Sequence, residues 1–263
     1  MRPRDVEAAR RYAGRVLSVA LFALVMLAIW EVYARTSGLR PTILPAPSRV
    51  LSEGWRYRAV IFGHLQPTLL ETVLGFSAAV GIGTVCAVAI DFSSTARRTL
   101  YPLLVASQTV PLIAMAPLVI VWFGFGLGAK VLVVAFVTFF PVTVGWVDGF
   151  ASAERGAADL LRSMGAGRWQ IFRMLRLPGA LPRFFSGLRI AITYAVVAAI
   201  FAEYVGARRG LGIFIQQQQN SFRVDLVLAA VVVTAVLSIA LFAATTLVER
   251  MAIPWHHATR QRT

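Results

Sequence analysis

The sequence predicts an all-α, polytopic membrane protein with six transmembrane helices, and three observations lead there. Of 263 residues, 58% are apolar and only 14% are charged, whereas soluble domains carry about a quarter charged residues. Mean hydropathy is +0.71. The apolar residues gather into six runs, each near the roughly 20 residues a helix needs to cross a bilayer. The composition fits neither a soluble enzyme nor a disordered chain. The single cysteine, Cys86, excludes an intramolecular disulfide and a cysteine-built metal cage. The net charge is +14, and of 26 basic residues only Lys130 is a lysine. With no soluble basic domain present, that charge does not indicate nucleic acid.

Residues 1–15 carry five arginines and read as a short basic helix on the membrane surface. The first span is set at 16–34. A signal peptide with a weak site at Val32-Tyr33-Ala34 is the alternative, but the run is long and further spans follow. Residues 35–67 hold Pro41, Pro45, Pro47 and Pro67 and read as a loop with one short helix near Ser48–Tyr57. In the second span, 69–90, Pro67 lies near the start, where a missing N–H is harmless. Glu71 one turn in would complement the helix dipole. Gly75, Ala79, Gly83 and Ala87 recur every fourth residue, a stripe that lets another helix approach closely.

After a hinge, Asp91 to Thr99, the third span is placed at 100–122 and holds Pro102, Pro111 and Pro117. A tight glycine-rich turn, Phe123–Gly128, leads to the fourth span, 129–147, around Pro141. The fifth and sixth spans fall at 184–205 and 226–248, joined by a polar loop with the tract Gln216–Gln219, and a tail occupies 251–263. Six spans bring both termini to one side, together with the arginine-bearing stretch between the fourth and fifth. That side carries seventeen basic residues against nine on the other. The termini and residues 151–183 are therefore expected in the cytoplasm.

Residues 151–183 are too patterned for a linker. Ala157, Leu160, Leu161 and Met164 form one apolar helical face, with Arg155, Asp159 and Arg162 opposite, spaced for ion pairs. Gly165 interrupts as a helix-ending residue does. A second short helix follows from Arg168, with Ile171, Phe172 and Leu175 apolar, to be stopped by Pro178 and Pro182. Physically this is either a pair of interfacial helices anchoring a loop or a docking element for another protein.

Asp159-Leu160-Leu161, then three residues and Gly165, then nine residues and Leu175-Arg176-Leu177-Pro178, resembles the cytoplasmic loop motif of ABC-transporter permeases, Glu-Ala-Ala, three residues, Gly, nine residues, Ile-x-Leu-Pro. Gly165, Leu177 and Pro178 match with spacing intact; Asp159 replaces the glutamate and two leucines replace the alanines. The resemblance implies the type I ABC importer permease fold, 16–250, in which this loop forms coupling helices gripped by a separate ATPase. The ATPase-coupling residues it implies are Asp159, Leu160, Leu161, Gly165, Ala166, Trp169, Phe172, Leu177 and Pro178. Leu44-Pro45-Ala46-Pro47-Ser48 looks like the signature of the branch importing nitrate, sulfonate, taurine and thiamine precursors. Glu203-Tyr204-Val205-Gly206-Ala207 with Gly210-Leu211-Gly212 looks like its connection between the last two spans. Within it, Tyr101–Gly126, Leu161–Ala166 and Ile253-Pro254-Trp255-His256 look most like permeases for the hydroxymethylpyrimidine precursor of thiamine, with riboflavin importers close. The resemblance also implies a permease homodimer, ATP and magnesium held by the partner ATPase, and an extracytoplasmic substrate-binding protein.

No Gly-x-x-x-x-Gly-Lys-Ser/Thr loop occurs, so this chain is not expected to hold ATP in that way, and it is not expected to be an enzyme. Nor does any metal or cofactor motif occur; His256–His257 reads as an interfacial pair. Ser107, Gln108 and Thr109 ahead of Pro111 are the first candidates for the substrate pathway, since polar groups at membrane depth face cavities or other helices. Thr193 and Tyr194 come second, and Glu203 reads as a gate or structural contact. Thr138 and Thr143, flanking Pro141, are expected to bond back to their own helix. The rival class is a six-span membrane enzyme or passive channel, which would need intramembrane catalytic pairs or a filter.

Overall fold

A computed structural model describes residues 3–255, with side chains from Leu17 onward except Ile113 and Arg155. The side chains of the basic N-terminal segment, the pair His256–His257 and tail residues 256–263 lie outside the described residues. Among those described, every regular element is a helix. Five are long and apolar enough to cross a membrane: Leu17–Thr36, Arg58–Phe92, Leu127–Ala151, Arg168–Tyr204 and Val224–Ala252. The chain divides into two compact units, residues 1–61 with 215–231 and residues 62–214 with 232–263.

In the first unit, α1 (Pro3–Thr36) ends beside α2 (Pro47–Arg56). The residue preceding α2 is Ala46, which offers no side-chain cap. A carboxylate from α1 takes that role. Glu31 accepts from the Ser48 N–H at 2.9 Å and from the Ser48 hydroxyl at 2.7 Å, while Arg35 holds it at 2.5 Å. Pro47 opens α2, where proline's lost donor costs nothing. From α2, Arg49 reaches Asp225 at 3.1 Å and Glu53 reaches Arg223 at 2.6 Å, binding α2 to the start of α11 (Val224–Ala252).

The second unit is built on α3 (Arg58–Phe92), α6 (Leu127–Ala151) and α9 (Leu177–Tyr204). The small-residue stripe of α3 meets α6. Ala79 and Ala87 are fully buried, and a Cβ added at Gly83 would stand 2.9 Å from the Thr143 hydroxyl. The pairing of α6 with α9 is closer still. A Cβ at Gly145 would come within 3.2 Å of the Gly187 Cα, and one at Gly149 within 2.7 Å of the Ala180 Cβ. Lipid tails are as apolar as leucine, so such contact, not water exclusion, holds these helices together. Thr138 and Thr143 donate to the Val134 and Phe139 carbonyls, each at 2.8 Å, as expected around Pro141.

Several expectations are overturned. The short helix expected near Ser48–Tyr57 is present as α2, Pro47–Arg56, but the loop set at 35–67 ends early, because α3 begins at Arg58. Pro67 therefore lies well inside α3, and Glu71 is far from any helix start; it pairs instead with Lys130 at 2.6 Å. The third expected span is two helices, α4 (Ser94–Ser107) and α5 (Leu112–Phe123). Pro111 has no N–H and drives Val110 out of helical geometry, so the chain breaks there while Pro102 and Pro117 remain inside their helices. Hydroxyls of Ser107 and Thr109 take up the Leu104 and Ala106 carbonyls at 2.7 and 2.8 Å. Pro178 and Pro182 stop nothing. After α7 (Arg155–Ser163), α8 (Arg168–Ile171) widens into a π segment, Phe172–Arg176, that runs straight into α9. Proline crowds the carbonyl four residues before it, here Met174 inside the widened turn, and a π turn supplies the room an α turn lacks. The expected polar loop before α11 likewise contains α10 (Leu211–Asn220), which takes in Gln216–Gln219.

Adding one methyl group tests the α6–α9 contact. Gly187→Ala forces Cβ against the Pro141 carbonyl and should destabilise the purified protein by about 1–3 kcal/mol. Gly128→Ala, with nothing within 4 Å, should leave the detergent-solubilised melting midpoint unchanged.

Candidate functional site

The segment between α6 and α9 is a tight helical corner. Gly165 takes φ +84°, a left-handed conformation that glycine adopts without penalty. Its N–H donates to the Arg162 carbonyl at 2.9 Å, and the Ala166 N–H donates to the Leu161 carbonyl at 2.9 Å. These paired bonds close the end of α7 in a Schellman turn. Gln170 then caps α8 by accepting from the Gly167 N–H at 2.7 Å.

The expected apolar face of α7 is largely uncovered. Leu160 is 62% and Met164 74% exposed, and Trp169 at the start of α8 is 61% exposed. Asp159 is exposed and pairs with Arg162 at 2.7 Å. Leu161 and Ala166 are half-buried, while Ala158, not among the expected residues, is the α7 side chain that turns inward. Phe172 is a correction: at 4% exposed it is an anchor, out of reach of any partner. Leu177 packs on the same core, and Pro178 is half-buried.

Two devices fix this corner to the membrane helices, and sequence reasoning found neither. Arg176 donates to both carboxylate oxygens of Asp91 at the end of α3, at 2.7 and 2.9 Å. Arg168 donates to the Phe92 carbonyl at 3.1 Å and lies over the Phe92 ring at 5.9 Å. The second device is a column of aromatic rings. Trp146 stacks on Phe184 at 4.0 Å and on Phe150 at 5.3 Å. Phe150 meets Phe172 at 5.3 Å, which stacks on Trp169 at 5.4 Å. Ring contact thus runs unbroken from Trp146, in the last two turns of α6, to the exposed Trp169. The Trp146 indole N–H donates to Thr84 of α3 at 2.9 Å, fixing the inner end.

A cleft of ≈ 890 Å³ opens between α5, α6 and α9. It brings together Ser107 and Gln108 from the helix break and Tyr194 from α9, three of the expected pathway residues. Its walls are otherwise mostly apolar, including Met115, Phe136 and Phe140, and one oppositely charged pair, Arg183 and Asp148, lines it. Thr109 and Thr193 do not line it; their hydroxyls are turned back to Ala106 and Arg189 carbonyls.

Glu203 is also elsewhere, and its placement accounts for the Gly210-Leu211-Gly212 run. Fully buried, it accepts from the Thr68 hydroxyl at 2.6 Å and the Gly212 N–H at 2.5 Å. Thr68 in turn accepts from the Leu211 N–H at 2.8 Å, and the Gly210 carbonyl stands 2.9 Å from His64 Nδ1. Gly210 has φ +141°, and a Cβ there would overlap the Glu203 carboxylate. The carboxylate is a latch tying the end of α9 and the start of α10 to α3. Lys130 with Glu71, both buried, supplies a second polar link between α3 and α6. Among the described residues no group of His, Cys, Asp and Glu could hold a metal.

Comparison with known proteins agrees with this architecture. Residues 79–253 match the family described as binding-protein-dependent transport system inner membrane component. The formylaminopyrimidine transport permease protein ThiX of Halalkalibacterium halodurans is 37% identical over 247 residues, covering 92% of this chain and 96% of the relative. The taurine transport system permease protein TauC of Escherichia coli is 32% identical, covering 91% of this chain and 90% of its own. The riboflavin transport system permease protein RibX of Chloroflexus aurantiacus is 31% identical, covering 95% and 94%. Among solved structures, an inward-facing form of the MetNI methionine ABC transporter superposes with a TM-score of 0.64 at 21% identity, over 74% of this chain and 97% of that one. The chain belongs to the binding-protein-dependent inner membrane components, the permease subunits of ABC importers.

Proposed function

We propose that the α7–Gly165–α8 corner is the cytoplasmic docking element through which a separate ATPase drives this permease, and that the solute is a small heteroaromatic molecule of the thiamine-pyrimidine class. Membership of the family implies an ATPase and an external binding protein as partners, and the permease is not itself an enzyme. Two copies, with their termini in the cytoplasm, would enclose the pathway. ATP and magnesium belong to the ATPase.

The observation that carries the docking reading is a surface without an internal use. Leu160, Met164 and Trp169 stand exposed on an element that Arg176, Arg168 and the aromatic column hold rigidly against three helices. An uncovered apolar patch on a braced corner suits a partner's groove. Force applied there would pass along the rings to Trp146 and along the continuous π–α9 helix to the cleft wall.

For the solute, two observations agree. The relative with 37% identity over 92% of this chain is a formylaminopyrimidine permease. The cleft is walled by Phe136, Phe140 and Met115, with Gln108, Ser107 and Tyr194 as its neutral polar groups, and its charges cancel. Such a wall favours a flat neutral ring over a permanent anion such as nitrate or a fully charged zwitterion such as taurine. The 31% identity to the riboflavin permease makes riboflavin the second reading.

Gly165→Val should insert and express normally yet reduce binding-protein-dependent uptake at least tenfold, because a β-branched residue cannot hold φ +84°. Unchanged uptake would remove the docking role. Arg176→Gln, which strands Asp91, should lower uptake while ATP hydrolysis by the assembled transporter persists, and the reciprocal swap Asp91→Arg with Arg176→Asp should recover part of it. In cells deleted for thiamine synthesis upstream of the pyrimidine, the operon carrying this chain should import labelled formylaminopyrimidine in competition with its hydroxymethyl analogue and not with taurine. Gln108→Ala should weaken that uptake several-fold.

A further inference from the structure

Four arginines, Arg97, Arg162, Arg168 and Arg176, line a polar cavity of ≈ 540 Å³. It lies where α3 ends and α4 begins, beneath the end of α6 and beside α7. Two carboxylates, Asp91 and Asp159, share it, leaving the wall with two uncompensated positive charges. Their distribution is uneven. Arg176 is committed to Asp91 by a two-oxygen contact at 2.7 and 2.9 Å. The Arg162–Asp159 pair at 2.7 Å is solvent-exposed on both sides, and such pairs contribute little. Arg168 gives one N–H to the Phe92 carbonyl at 3.1 Å, and Arg97 makes no side-chain hydrogen bond or ion pair among the described residues. A guanidinium carries five N–H donors, so Arg97, Arg162 and Arg168 together present most of theirs to the cavity.

Like charges gathered along one groove repel. An anion placed among them removes that cost. The donor type selects which anion: a planar fork matches the oxygens of a phosphate in pairs. Position points the same way. The cavity opens at the ends of α3 and α6, two helices long enough to cross the bilayer, and basic pockets between the ends of such helices accept lipid phosphates.

We propose that this cavity is a binding site for a phosphate-class anion, supplied by the headgroup of an acidic phospholipid or by free phosphate. The site sits against the root of the α7–α8 corner, so its occupancy would brace that corner. It needs neither the proposed solute nor the proposed docking role, and can fail without them.

The test uses the purified full-length chain in phosphatidylcholine nanodiscs carrying a minority of fluorescent phosphatidylglycerol, with retained lipid counted by native mass spectrometry. Arg97→Gln removes no side-chain hydrogen bond or ion pair among the described residues, and Arg97→Gln with Arg168→Gln should cut phosphatidylglycerol retention roughly tenfold or more. Arg208→Gln with Arg209→Gln removes equal charge from exposed residues outside the cavity and should leave retention unchanged. Phosphatidylcholine retention should not respond to either pair. Inorganic phosphate is then titrated in. Displacement of the lipid at millimolar concentration identifies free phosphate as an occupant, and resistance to it identifies the lipid. Equal losses from the two double variants would show general surface charge and overturn the proposal. So would binding of neither phosphatidylglycerol nor phosphate by the unmodified chain, which would leave the arginines to an acidic segment of a partner protein.

Discussion

Backbone contact between α6 and α9 is the constraint on which the rest of this chain depends. In water, two helices can be held by the apolar area they hide; in lipid that gain vanishes, and closeness itself must hold them. Gly145, Gly149 and Gly187, with Ala180, allow that closeness. Because the two helices touch along small residues, their large side chains are displaced to either flank. On one flank Trp146, Phe150 and Phe184 pile into the ring column. On the other, Pro141, Gly145, Gly187 and Tyr194 edge the cleft. One contact therefore sets both the root of the corner and the wall of the pathway.

Polar groups reinforce this packing. The Lys130–Glu71 pair and the Glu203 latch are buried among membrane-capable helices, where losing one partner leaves the other charge stranded at a cost of several kcal/mol. Such links admit few alternative arrangements. They complement the loose, non-directional contacts of valine and alanine with fixed geometry, and they concentrate where α3 meets its neighbours.

Much of this organisation was legible in the residues. The recurrence Gly75, Ala79, Gly83, Ala87 named the face of α3 that α6 approaches, and the turn at Gly165 followed from its position after a short amphipathic run. Ser107, Gln108 and Tyr194 were singled out by polarity at membrane depth and do share one cleft. What failed was proline. Three prolines in the third expected span break the chain at Pro111 alone, and Pro178 is absorbed by a widened turn, because whether a proline ends a helix depends on what satisfies the freed carbonyl. The Asp91–Arg176 and Glu71–Lys130 partners are separated by 85 and 59 residues, and no local pattern announces such pairs. Phe172 was expected at a partner's surface and is buried instead: helical spacing gives a face but not what covers it, and Phe172 opens the π segment that leads into α9.

The buried state of Lys130 has a consequence for the outer character of the molecule. It is the sole lysine in the sequence and only 7% exposed, so acylating labels, amine cross-linkers and lysine-specific proteases find no open target among the described residues. Every outward side-chain cation but histidine is a guanidinium, which does not titrate in any compartment a cell provides. The coat of positive charge is accordingly permanent, indifferent to acidification and to acetylation alike.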